Sequence, residues 1–387
     1  MLNLTESQRA LQEAARKLAQ GEFKDRARRW DETEEFPEDN QKRLAELGYV
    51  GMSIDEKFGG GGCGLVDTYL VVEEIAKVCM TTALIVHEQN VSPRIIALHG
   101  TDAQREKYLP MIAKGQLGMT IAWTEPQAGS EGTAIRTTCK KDGNEYVVNG
   151  QKVFTSFGDH ADMHMAYVRF GDTKGARGLG TVLIEADRPG ITVQKLEGKM
   201  GTRGCHEVEL FFDDVRIPAE NILIEGDPNS SKGFVKALNI YNGTRVGMGI
   251  LALGVAQGAF DMATEYMTKR VQFGQPLSEM QGLQWMVADM AIDLEAARLL
   301  CYRALELFDQ GTPSPYLSSV AKVQATEMAQ KVCYDSMQMF GGYGYFGSLP
   351  LERMVRDVRM LTITGGTTQI QKTAIAKHIF SQVESRK

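Results

Sequence analysis

The sequence predicts an α+β chain in which a β domain separates two helical ones. Three observations carry that reading. Apolar residues recur at helical spacing in the first part of the chain, a middle stretch changes to short β-branched or alternating runs bounded by Gly, Asn and Asp, and long helical patterns return afterwards. The divisions expected are an all-α domain over 1–116, a β domain over 117–228 and a helical domain over 229–387. Ligands are expected at the junctions, where pockets commonly form.

In the first block Leu4, Leu11, Ala14, Ala15 and Leu18 mark one helix face, and Thr5 with Gln8 has the pattern of a capping box. Pro37 opens a second helix with Leu44, Leu47 and Val50 on one face. Gly59–Gly62 reads as a flexible turn before a helix over Val66–Val78. A further helix spans Thr82–Ile96. It is apolar from Ala83 to Val86 and again at Ile95 and Ile96, yet His87 to Asn90 form a polar middle that is unusual in such a helix. In the second block Tyr146–Gly150, Gly180–Ile184 and Glu207–Phe212 read as strands, and Asn149-Gly150 as a hairpin turn. In the third, Gly247–Arg270 and Met280–Gln310 read as long helices, and a last helix begins after Gly366.

Composition narrows the class. At 387 residues the chain can build two or three domains with a substantial core. Hydrophobic residues at 43% and charged residues at 24% match an average soluble protein. A net charge of −6 gives no general electrostatic case for nucleic acid or an anionic membrane. Cys63, Cys79, Cys139, Cys205, Cys301 and Cys333 lie far apart with no CxxC pair, which argues against a zinc site and a disulfide framework and suits a reducing compartment. The opening residues form an acid-bearing amphipathic pattern, not a signal peptide. No run of about 18 apolar residues suggests a membrane span. The expected location is bacterial cytoplasm, or the mitochondrial matrix if a transit segment has been removed.

Five stretches carry chemistry. Thr124-Glu125-Pro126-Gln127-Ala128-Gly129-Ser130 is a tight turn whose successive backbone N–H groups suit a phosphate or a polar ring edge. Phe154 stands two residues before Ser156, which is either a functional pairing or an ordinary strand. Arg270-Val271-Gln272-Phe273-Gly274 ends a long helix with a cation, an amide and an aromatic, or with a plain glycine cap. Phe340–Gly344 is a glycine-rich turn. Gly342, Gly344 and Gly347 satisfy G-x-G-x-x-G, but no strand precedes them and Pro350 follows, so this is not a dinucleotide fingerprint. The fifth stretch is Thr364-Gly365-Gly366-Thr367-Thr368-Gln369-Ile370-Gln371.

In this order the stretches resemble the acyl-CoA dehydrogenase family over nearly the whole chain. Leu4–Gln8, Met200–Cys205, Phe212–Asn221 and Arg356-Asp357 extend the resemblance. It implies an N-terminal helical domain, a middle β domain and a C-terminal four-helix bundle. It also implies a homotetramer with one FAD per subunit, an acyl-CoA substrate and an electron-transfer flavoprotein as acceptor. By position Trp123 and Thr124 would meet the pyrimidine side of the flavin. Gly129 and Ser130 would lie at the pyrophosphate, with Ser130 also near substrate. Phe154 would cover the ring and Ser156 approach its edge. Arg270, Gln272, Phe273, Gln338 and Gly342 would bind FAD from the neighbouring subunit, and Thr367 and Gln369 would hold the adenosine side. Asn242, Thr244 and Arg245 fall where members contact the CoA chain or order the acyl site.

One residue departs from the pattern. Where the family usually carries its catalytic glutamate, this chain has Gly365, and the alternative position used by some members holds Thr244. In the family a carboxylate removes the α-proton of the thioester, a step worth roughly 10²–10⁴-fold. A backbone N–H at the glutamate position, here Gly365, holds the developing enolate oxygen, which is worth roughly 10²–10³-fold. Three readings follow. The base has moved, with Glu88 the first candidate because it shares a helical face with Leu84 and Val91 in the helix that lines the family's acyl pocket. Asp159 and His87 are lesser candidates. Members that act on alicyclic carboxyl-CoA esters resemble this case. Alternatively the enzyme is an enoyl-CoA reductase of the crotonobetainyl-CoA reductase type, or a non-catalytic FAD-binding subunit of a mixed tetramer. Arg94 is either a partner for a substrate carboxylate or a structural arginine.

Overall fold

A computed structural model describes residues 2–385, the side chains of residues 237, 239 and 240 excepted. Six helices lead: α1 (Glu6–Leu18), α2 (Ala27–Thr33), α3 (Glu38–Glu46), α4 (Leu65–Ala76), α5 (Met80–His99) and α6 (Asp102–Ala113). Both halves of the Thr5 capping box form. The helix after Pro37 is shorter than its apolar pattern suggests. Gly48 at φ 76° ends it, and Val50 lies in a following 3₁₀ turn, Tyr49–Gly51. Gly59–Gly62 is a packed turn rather than a flexible one: Gly61 and Gly62 donate to the carbonyls of Gly51 and Ile54 at 3.0 and 2.8 Å. A Cβ on Gly60 would come within 2.2 Å of the Ile54 carbonyl oxygen. Helix α5 continues through Pro93 to His99 and is buried along most of its length.

Eight strands follow: β1 (Met119–Ala122), β2 (Thr138–Asp142), β3 (Glu145–Ser156), β4 (Met163–Phe170), β5 (Leu179–Glu185), β6 (Ile191–Lys195), β7 (Glu207–Pro218) and β8 (Ile222–Ile224). They form one sheet in the order β6-β7-β3-β2-β4-β5-β8, with β1 parallel to β4. Asn149-Gly150 is not the hairpin turn. It lies inside β3, at a register shift against β7, where Gly150 has φ 147° and an added Cβ would strike Thr137 at 2.6 Å. The dipeptide's positive φ serves a close crossing here. The turn itself is at Gly143-Asn144, with Asp142 paired to Glu145.

Five helices follow: α7 (Lys232–Lys269), α8 (Gln281–Asp309), α9 (Pro315–Met339), α10 (Leu351–Leu361) and α11 (Thr368–Glu384), with a short antiparallel ribbon, Val271–Gln272 against Gln275–Pro276, between α7 and α8. Helix α7 starts well before Gly247 and is long and apolar enough to cross a membrane by length and composition. In this fold 78% of its most apolar window is buried, as in a core helix. One large apolar cluster joins α1, α4 and α5 to α7–α10, so the two helical blocks share a core beside the sheet. That junction carries the site.

Candidate active site

The Gly365-Gly366 turn is left-handed at both residues, φ 69° and 90°. Three donors hold its carbonyls. Arg245 Nε donates to the Gly365 oxygen at 3.1 Å, Gln371 Nε2 to the same oxygen at 3.3 Å, and Lys322 Nζ to the Gly366 oxygen at 2.9 Å. Ser319 donates to Gln371 Oε1 at 2.9 Å and fixes that amide. Among the described residues nothing accepts the Gly365 N–H. Burial pulls Lys322 down to about 8. Arg245 is also bonded to Asn242 Oδ1, so Asn242 orients the arginine that grips the turn. Thr244 is buried, its hydroxyl without a partner among the described residues.

Arg245 lies over the ring of Tyr241, 5.8 Å from its centroid, and Tyr241 packs on Trp123 at 5.3 Å. Glu88 of α5 lies within electrostatic reach of Tyr241, Tyr69 and Glu207, which places it where α4, α5, α7 and β7 converge. It is half-buried and makes no hydrogen bond or ion pair among the described residues. Burial, and then the neighbouring Glu207 carboxylate, push its pKa up to about 7. The lesser candidates are placed otherwise. His87 is fully buried and bonds Tyr69 Oη at 3.0 Å; burial drops it to about 3, so it is a very weak base. Burial would raise the Asp159 carboxyl, but its bond with His206 and the nearby His160 hold it below its ordinary value. It is already engaged. Arg94 is half-buried, with no ion pair among the described residues, and the Tyr69 hydroxyl and Asp309 are the groups that oppose its desolvation.

On the sheet, Glu125 organises the turn read as a phosphate or ring-edge cradle. It is buried, pairs with Lys152 at 2.7 Å and accepts the N–H groups of Arg136 and Thr137. Gly129 and Ser130 are thereby exposed, and their N–H groups meet no protein acceptor among the described residues. Trp123 and Thr124 are half-buried just ahead of them. Phe154 has φ 55° and is 64% exposed. A bulky side chain held at positive φ and presented outward marks a position kept for contact rather than packing. Ser156 differs from expectation in one respect: its hydroxyl donates to Glu207 at 3.0 Å, and Glu207 also meets Lys199 at 3.3 Å.

A cavity of about 930 Å³ is lined by Arg270, Gln272, Gln338 and Gly342 together with Tyr266 and Phe340. Residues separated by some seventy positions are thus brought together, and Phe340–Gly344 leads into a 3₁₀ turn between α9 and α10, with a helix and not a strand before it in the chain. Phe273 stands beside it at φ 52° and is 97% exposed. None of the cavity's lining comes from the eight-stranded sheet. Thr367 caps α11, accepting the Ile370 N–H at 3.3 Å, and Gln369 is exposed next to it. The reading from sequence missed Tyr241, Glu207, Lys322 and Gln371 as members of the site.

The chain matches the N-terminal, middle and C-terminal domain models of acyl-CoA dehydrogenases over residues 5–116, 120–215 and 231–380. It belongs to the acyl-CoA dehydrogenase family. It is 39% identical to an acryloyl-CoA reductase (NADH) of Anaerotignum propionicum, over 98% of this chain and 96% of that protein. It is 39% identical to a 3-sulfinopropanoyl-CoA desulfinase of Paraburkholderia xenovorans, over 100% and 99% of the two chains. A cyclohex-1-ene-1-carbonyl-CoA dehydrogenase of Syntrophus aciditrophicus is 38% identical over 98% and 91%. The solved butyryl-CoA dehydrogenase of Megasphaera elsdenii superposes with a TM-score of 0.94 at 32% identity, covering 98% and 100%.

Acyl-CoA dehydrogenases are flavoproteins, and the residues present fit FAD. Phe154 offers an unpacked ring face, Gly129 and Ser130 offer free N–H groups, and Arg270 offers a guanidinium with no ion pair among the described residues. These are the donor types a flavin ring and a pyrophosphate require.

Proposed function

We propose that this acyl-CoA dehydrogenase oxidises an acyl-CoA thioester to the enoyl-CoA with Glu88 as its base. The observation that carries the reading is the Glu88 carboxylate, raised to about 7 and unpaired among the described residues, within electrostatic reach of Tyr241, over whose ring lies the Arg245 that holds the Gly365 turn. Such a carboxylate is deprotonated near neutrality and still basic enough to take a proton. Glu88 removes the α-proton, and the Gly365 N–H holds the enolate oxygen that forms. FAD held there would supply the acceptor for the hydride from the β-carbon. Trp123, Thr124, Phe154 and Ser156 position it from one subunit. Arg270, Gln272, Phe273, Gln338 and Gly342 do so from a neighbour in a homotetramer, with Thr367 and Gln369 on the adenosine side. Asn242, Thr244 and Arg245 order the thioester, and an electron-transfer flavoprotein takes the electrons. A displaced base suits a ring, whose acidic C–H points differently from that of a linear chain, and the relative named for a cyclohexene thioester favours an alicyclic acyl group.

A second reading is enoyl-CoA reduction, favoured by the relative named acryloyl-CoA reductase. Glu88, protonated, would then deliver the proton to the α-carbon. Anaerobic titration separates the two. Bleaching of the yellow protein by cyclohexanecarboxyl-CoA or another saturated thioester supports oxidation. Reoxidation of dithionite-reduced protein by an enoyl-CoA, with no bleaching by any saturated thioester, supports reduction. Silence in both directions would sink both readings and leave a non-catalytic FAD-binding subunit.

A further inference from the structure

Asp159 and His160 close the loop after β3, and His206 opens onto β7. Their candidate ligand atoms, a carboxylate oxygen and two imidazole nitrogens, all lie within 4.8 Å of one another. His206 Nδ1 is 2.5 Å and His160 Nε2 3.7 Å from Asp159 Oδ2. A zinc ion with bonds of about 2.0–2.2 Å in a tetrahedron sets its ligand atoms roughly 3.3–3.5 Å apart, so small side-chain shifts bring the three onto one ion.

The surroundings orient the rings as a metal site needs. His206 Nε2 lies 2.7 Å from the Glu34 carbonyl oxygen. A carbonyl can only accept, so Nε2 carries the hydrogen and Nδ1 faces Asp159. An imidazole whose second nitrogen donates to a carbonyl is the usual outer support of a metal-bound histidine. The His160 ring stacks on Phe36 at 4.1 Å and 18°, which fixes its plane. The side chains of Asp159 and His160 are 25% and 29% exposed, so an ion has a way in and a water has a place to bind. Glu38 adds favourable charge near His160, and Lys195 opposes it.

We propose that Asp159, His160 and His206 form a binding site for a divalent transition ion of the zinc class, with the remaining position left to water. Ligation at His206 Nδ1 replaces the proton that this nitrogen shares with Asp159 in the metal-free protein and releases it to solvent. The ion would tie the Glu34–Phe36 segment to the loop that follows Ser156. This inference stands independently of the direction of the acyl-CoA reaction. No sequence spacing announces it, because the ligands come from two loops joined only by the fold.

Equilibrium dialysis of the chelator-treated holoenzyme against zinc chloride tests it, with bound zinc counted per chain. The site predicts one zinc in the wild type and at least about tenfold weaker binding in D159N and in H160A, the scale of loss seen when metal-site support is removed. C63S, which removes the half-buried thiol elsewhere, should bind like the wild type. Zinc should also raise the melting temperature of the wild type and leave that of H160A unmoved. Flavin content and melting in zinc-free buffer show whether each variant is folded; if H160A fails to fold, H160N takes its place. Equal zinc binding by wild type, D159N and H160A overturns the proposal. So does a folded wild type that takes up no zinc, which leaves only a His–Asp ion pair.

Discussion

The Gly365-Gly366 turn and the Glu88 face of α5 form the two halves of the proposed site, and they are held in opposite ways. Arg245, Gln371 and Lys322 fasten the turn by its carbonyls, and the Gly365 N–H meets no acceptor among the described residues. Glu88 makes no hydrogen bond or ion pair among the described residues, and burial with Glu207 raises its proton affinity. The contrast follows from what each half does. An oxyanion donor works by being fixed before charge develops. A base works by having the right pKa, and an arginine partner would hold it ionised but make it a poor proton acceptor.

The contrast breaks most sharply at Glu88 itself. E88Q should lower the single-turnover bleaching rate by about 10²–10⁴-fold while the Kd for acyl-CoA changes little. An unchanged rate would remove Glu88 from the mechanism. Loosening the other half should cost less. K322M deletes one donor to the turn, and we expect about a tenfold slower rate with no movement of the pH profile; a profile that moves would show that Lys322 titrates in the reaction instead. Gly365→Ala keeps the N–H but places a Cβ at φ 69°, with Met248 Cγ at 3.2 Å. Its expected cost is on the order of 1–2 kcal/mol of stability, seen as a lower melting temperature, with the rate nearly kept. A melting temperature equal to the wild type would show that the turn is not conformationally demanding. The smallest effect concerns pH. Oxidation needs ionised Glu88, so its rate should rise with pH and level off above about 7. Enoyl reduction needs the protonated form and should fall over the same range. In E207Q the repulsion is gone, and the midpoint should move down by a fraction of a pH unit. A midpoint that stays or rises would place Glu207 outside the reach of Glu88.

What could be read ahead of the structure was local. The Thr5 capping box, the middle strands and the shared face of Leu84, Glu88 and Val91 each depend on neighbours within one or two helical turns. Lys322 and Gly366 are 44 residues apart, and Ser156 and Glu207 are 51 apart, so neither contact leaves a periodic trace. Helix α9 hides for a related reason. It is buried on several sides against α7, α8, α10 and α11, which erases the polar face that marks an amphipathic helix. Its start is fixed locally, by Pro315 at the first helical position and by Ser314, whose side chain accepts the Leu317 N–H. Asn149-Gly150 misled because the same backbone freedom serves a turn or a close strand crossing.

The 930 Å³ cavity takes nothing from the eight-stranded sheet, while Phe154 and Ser156 lie on it. On the proposed reading no single chain grips both ends of its flavin. Retention of the yellow colour then becomes a matter of protein concentration. Dilution that separates subunits should release flavin, and added FAD should draw them back together.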